Sequence, residues 1–253
     1  MKIISSKDNS IIKKFRSLSV KKYREQFGLY VIEGEKVVKE ALNIHGLVEN
    51  LIILDTKQDD YKDLIEKHED KVILVTKPVF ESLSFEVSPQ FIMAIVKTKP
   101  KLNKLPHRNM VVLDKLQDPG NLGTIIRSAV ASGINDIVLI DSVDPYNDKT
   151  VRSASGTIFY PNFYKVTEEE FIEDSSKNGI SIVVAEAGKK SIFDPSLSVK
   201  SPYALVIGNE GQGVGQKILD QKHISISIPM DSRVESLNAS VSASVLMFIL
   251  TNK

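Results

Sequence analysis

Two unbroken apolar runs, Met110 to Leu113 and Ile137 to Ile140, flank the loop DKLQDPGNLG and a helical stretch. Spacing divides that helix: Leu122, Ile125, Ile126, Ala129 and Val130 fall on one side, Thr124, Arg127 and Ser128 on the other. Strand, helix, strand of this length closes as a parallel pair with a right-handed crossover, and such sheets bind ligands outside the carboxyl ends of their strands. The loop Asp118-Pro119-Gly120-Asn121 sits at such an end. Arg127 faces away from the core, toward whatever the loop faces. A plain turn with Asn121 as helix N-cap is the bland alternative.

Two more strands end in chemically distinctive loops. Tyr203 to Ile207 runs straight into Gly208-Asn209-Glu210-Gly211-Gln212-Gly213-Val214-Gly215. Four glycines there indicate a backbone that approaches something closely. The spacing matches neither G-x-G-x-x-G nor a P-loop, which leaves a ligand cradle with one carboxylate, Glu210, or a hairpin-like turn. Downstream, alternating Ile224, Ile226 and Ile228 give way after Pro229 to a loop with Arg233, Glu235, Ser236 and Asn238. Leu237, Val241, Val245 and Phe248 then recur at helical spacing, under a Ser or Asn cap and a run of small residues. That helix reads as tightly packed whether or not a ligand sits at its start.

The first part of the chain alternates short strands with helices over residues 1–98, an α/β sandwich pattern. It opens with eight basic residues against the single acid Asp8 between Lys2 and Arg24, with Phe15 and Tyr23 interleaved. Ile11, Ile12, Phe15 and Leu18 make this a basic amphipathic helix, fit for a polyanion such as RNA or DNA and equally fit for a solvated face. KTKPKLNKLPHR, centred on 99–108, has the composition of a linker, so a second domain is expected over 109–253. A net charge of +1, no cysteine and four scattered histidines argue against disulfides, a thiol nucleophile or a metal site. With no membrane-spanning run and no signal-peptide pattern, the expectation is a cytoplasmic protein.

In order, NLGTIIRSA, LVIGNEGQGVG and ISIPMDSRVESLNASVSAS resemble the three signature motifs of the SpoU (TrmH-type) RNA ribose 2′-O-methyltransferases of the SPOUT superfamily. The segment FGLYVIEGEKVVKEAL resembles the ribosomal-protein-like substrate-binding domain that many of these enzymes carry. The resemblance implies an α/β fold with a trefoil knot at the carboxyl end, S-adenosylmethionine (SAM) as cofactor, and a homodimer with its active site at the interface. By position, Gly208, Ile228 and Leu237 would line the cofactor pocket. Asn121, Arg127, Glu210, Ser236 and Asn238 would form the catalytic and substrate-positioning set. Asn209 stands where other small or polar residues are usual in the family.

Methyl transfer to a ribose hydroxyl needs alignment of donor and acceptor and loss of the hydroxyl proton. A guanidinium is a poor proton acceptor, so Arg127 is expected to hold the adjacent phosphate and stabilise the developing alkoxide. Glu210 is then the candidate to accept the proton or orient Arg127. RNA is the expected substrate, ribosomal RNA of the large subunit ahead of tRNA. The alternatives are a non-catalytic RNA-binding dimer and a tRNA-directed enzyme of the same family.

Overall fold

Sheets whose strands are apolar on both faces must be covered on both faces, and the chain builds its architecture on that requirement. The computed structural model describes residues 3–86 and 88–252, so Lys2 lies outside the described residues. Contacts divide the chain into two units: residues up to Lys99 together with Tyr146–Gly156, and Pro100–Pro145 together with Thr157–Lys253.

In the first unit β1 (Ile3–Ile4) precedes α1 (Ser10–Ser17) and α2 (Lys21–Phe27), followed by β2 (Leu29–Glu33), α3 (Glu35–Leu42) and β3 (Val48–Leu54). Then come α4 (Lys62–Lys67), β4 (Val72–Val75), α5 (Lys77–Glu81) and β5 (Ile92–Lys97). The sheet order is β1-β4-β3-β5-β2, with β1, β4 and β3 parallel and β5 antiparallel to both β3 and β2. Where one basic helix is expected, two form. Asn9 caps α1 by accepting from the Ile11 N–H at 2.9 Å, and α1 ends before α2 begins. Ile12, Phe15 and Leu18 enter the core with Ile52, Phe80 and Met93, whereas Ile11 stays exposed.

In the second unit β6 (Met110–Asp114), α6 (Pro119–Ala131) and β7 (Asp136–Ile140) form the expected crossover. Between β7 and the next strand lies α7 (Asp148–Ala154), which groups with the first unit. There follow β8 (Asn162–Lys165), α8 (Glu168–Lys177), β9 (Ser181–Ser191), β10 (Tyr203–Ile207), α9 (Gln216–Leu219), β11 (Ile224–Ser227) and α10 (Ala239–Thr251). All six strands are parallel, in the order β11-β9-β10-β6-β7-β8. Every residue of β6, β7 and β10 is buried.

Two expectations need correction. Residues 100–108 are not a free tether: Leu105 is buried in the second core, its N–H donates to Asp174, and Arg108 pairs with Asp136 at 3.1 Å. β9 runs on to Ser191, where β11 pairs with it. In α10 the buried apolar residues are Ala243, Leu246, Met247 and Leu250, while Val241 and Phe248 are 46% and 44% exposed. No helix among the described residues is long and apolar enough to cross a membrane.

Candidate active site

Parallel pairing places the loops after β6, β10 and β11 at one edge of the sheet. The N-cap of α6 is Asp118, whose carboxylate accepts from the Asn121 N–H at 2.7 Å, with Pro119 in the first helical turn. Asn121 therefore sits inside the helix rather than capping it, which frees its amide. That amide donates to Glu210 Oε1 at 2.9 Å and accepts from Asn238 Nδ2 at 2.9 Å. The Asn238 oxygen in turn caps α10, accepting from the Ser240 N–H at 2.9 Å and the Ser240 hydroxyl at 2.7 Å. One relay of amides and a carboxylate thus ties together three segments far apart in the chain.

The glycine-rich loop closes on itself. Asn209 and Gly213 exchange backbone hydrogen bonds at 2.9 and 3.0 Å, so the loop is both a hairpin-like turn and one wall of a cavity. The Asn209 side chain staples it, accepting from Gly211 and Gln212 N–H groups and donating to the Lys115 carbonyl at 2.9 Å. This accounts for an asparagine at that position: both ends of its amide are used. At the loop's far end the Gly215 N–H donates to Asp114 Oδ2 at 2.6 Å. Burial pushes the Asp114 carboxyl above the usual carboxylate value, against the Gly215 hydrogen bond and Lys115, which favour the anion.

Between these loops lies a cavity of about 410 Å³. Gly208, Ile228 and Leu237, the three residues expected at a cofactor pocket, all line it, as do Glu210, Ser236 and Asn238. Arg127 does not. It is exposed on α6 and takes no hydrogen bond or ion pair among the described residues, though its neighbour Ser128 meets Ser244 of α10 at 2.7 Å.

Sequence reasoning missed Glu186. It follows the buried start of β9, lines the cavity and accepts from the Ser225 hydroxyl at 2.5 Å. The signal that could have found it is a polar residue directly after the buried apolar run that opens β9. Met230, Ser242 and Leu246 are among the other lining residues.

Comparison with known proteins covers nearly the whole chain. A family model described as SpoU rRNA Methylase family matches residues 108–248, and a model of the MRM3-like substrate binding domain matches residues 9–94. The 23S rRNA (guanosine(2553)-2′-O)-methyltransferase RlmP of Bacillus subtilis is 30% identical, with 99% of each chain covered. An uncharacterized tRNA/rRNA methyltransferase of Synechocystis sp. is 28% identical, over 97% of this chain and 92% of its own. Among solved structures, an AdoMet-bound rRNA methyltransferase from Sinorhizobium meliloti superposes with a TM-score of 0.85 at 27% identity, covering 99% of this chain and 97% of its own.

Proposed function

This chain belongs to the SpoU rRNA methylase family, and from that premise we propose that it is a SAM-dependent RNA ribose 2′-O-methyltransferase acting in the cytoplasm on large-subunit ribosomal RNA. The observation that carries the reading is the Asn238–Asn121–Glu210 relay at the mouth of a cavity lined by Gly208, Ile228 and Leu237. That cavity fits the cofactor by its chemistry. Ile207, Ile226, Ile228, Leu237 and Leu246 offer an aliphatic wall for a purine, and Glu186 offers a carboxylate to hydroxyl or ammonium donors. The volume falls in the usual range for a small-molecule site.

When bound, SAM supplies a sulfonium methyl as electrophile. The protein's own part is positioning and proton handling. Asn121 and Asn238 hold the Glu210 carboxylate by a neutral donor at one oxygen, leaving the other to orient the ribose hydroxyl or take its proton. Ser236 adds a hydroxyl to the cavity lining. Arg127 holds the neighbouring phosphate and stabilises charge growing on the ribose oxygen.

Since Arg127 lies outside the cavity within one chain, we assign it to the site of a partner copy in a homodimer. Val241 and Phe248, exposed on α10 beside the helix that carries Arg127, supply the apolar contact. The path that returns α10 to α6 and β10 is read as the family's trefoil knot. Phe248→Glu is expected to give a monomer by sedimentation and to lower methyl transfer far more than SAM affinity. A dimeric Phe248→Glu protein would place the interface elsewhere.

The deciding experiment maps 2′-O-methyl sites in ribosomal and transfer RNA from cells with and without the protein. Loss of one site in the large-subunit RNA is expected. Loss of a tRNA site would move the substrate, and no loss in either would remove the enzymatic reading.

A further inference from the structure

Aromatic rings on a small domain's surface are costly to leave in water, and this chain leaves two side by side. Tyr23 and Phe27, one turn apart on α2, are 37% and 36% exposed, with ring centroids 6.3 Å apart and planes 16° from parallel. Lys14 Nζ of α1 lies 5.0 Å from the Phe27 centroid and Lys22 Nζ lies 5.9 Å from that of Tyr23. α1 is anchored by Ile12 and Phe15. The joint to α2 is braced by buried Arg24, which donates to the Leu18 and Ser19 carbonyls at 2.8 Å each. The rings are thus presented on a fixed support. From Lys7 to Phe27 there are seven basic residues against the two acids Asp8 and Glu25, and Asp8 is held by Lys13 at 3.0 Å.

We propose that Tyr23 and Phe27, with Lys14 and Lys22, form a stacking platform for unpaired nucleotides of the RNA substrate. The proposal rests on the reading of this protein as an RNA-modifying enzyme and names the substrate feature its first unit grips. Every base has a π-face, so stacking on a ring is tolerant of sequence, but a base inside an A-form duplex has both faces covered. The platform therefore selects single-stranded RNA. The two ammonium groups are on flexible stems. When a base covers a ring, the lysine beside it shifts to the phosphate that the base brings, and one pair of residues serves both contacts.

The test uses the full-length protein with fluorescein-labelled oligouridylate and a blunt GC duplex of the same length, read by anisotropy across a salt series. The double variant Tyr23→Leu with Phe27→Leu is expected to lose about tenfold in oligouridylate affinity per ring removed. Its salt slope and its duplex affinity stay unchanged. Tyr23→Phe keeps wild-type binding, because the ring and not the hydroxyl does the stacking. Lys14→Gln with Lys22→Gln lowers the oligouridylate salt slope by about 1.4 instead. Equal losses on oligouridylate and duplex, no loss on either, or a change in oligomeric state with the leucine variant would each overturn the platform. A wild-type thermal melt and unchanged duplex affinity report that the leucine variant is folded. A protein that binds SAM and methylates RNA with no ring-dependent preference loses the platform alone. One that grips oligouridylate through the rings but neither binds SAM nor methylates RNA loses the enzymatic reading alone.

Discussion

Arg127→Ala is expected to leave SAM affinity unchanged and to lower the rate of methyl transfer by about two to three orders of magnitude, the usual effect of removing one group aimed at developing charge. The side chain is exposed and makes no hydrogen bond or ion pair among the described residues. Its removal therefore leaves no buried group unsatisfied and should change stability by no more than about half a kcal/mol. A fall in kcat in a protein with wild-type melting behaviour then reports on the reaction. Single-turnover methylation beside calorimetric SAM titration separates the two quantities. Wild-type turnover in the variant would remove Arg127 from the mechanism.

Gly208→Ala is expected to act on the other half of the site. A Cβ at Gly208 would lie 2.2 Å from the Gly213 carbonyl carbon and 2.4 Å from the Val214 nitrogen, both backbone atoms that cannot swing aside. Relief requires breaking the two hydrogen bonds that Asn209 and Gly213 exchange, and with them the wall of the cavity. Losing that pair costs about 2–3 kcal/mol, or roughly two orders of magnitude in SAM affinity. Gly211→Ala is the control. Its nearest neighbour would be Asn209 Oδ1 at 3.6 Å, an ordinary contact, so binding should survive. Tight SAM binding by Gly208→Ala would mean that the loop does not form the pocket wall.

The two variants together test the assignment of Arg127 to the partner's site. A mixed dimer of one Arg127→Ala protomer and one Gly208→Ala protomer contains one site with an intact loop from the first chain and an intact arginine from the second. If the arginine acts across the interface, mixing two inactive proteins restores activity. If it acts within its own chain, mixing restores nothing.

Much of the fold was legible because parallel strands buried on both faces are written as unbroken apolar runs. Met110 to Leu113, Ile137 to Ile140 and Tyr203 to Ile207 were placed within a residue of the strands that form. The basic stretch was harder: a single helical period runs across Ser19, but the chain turns there so that Leu18 and Arg24 can be buried together. In α10 the period Leu237, Val241, Val245, Phe248 traces a flank that includes the exposed Val241 and Phe248, and the core takes Ala243, Leu246, Met247 and Leu250. A helix apolar on every side has no period from which to choose its buried face.

By itself the sequence determined where the central strands of the second unit form, that three strands end in loops of amide, carboxylate and glycine, and that the first helices are basic, since these depend on the local alternation of apolar and polar residues. Only the tertiary structure decided that Asn121 serves as a link between Glu210 and Asn238 and that Glu186 reaches the same cavity. It also placed Arg127 outside that cavity. Hydrogen bonds between residues about a hundred positions apart depend on which strands become neighbours, and strand order is set by packing of the whole sheet, not by the residues of any one segment.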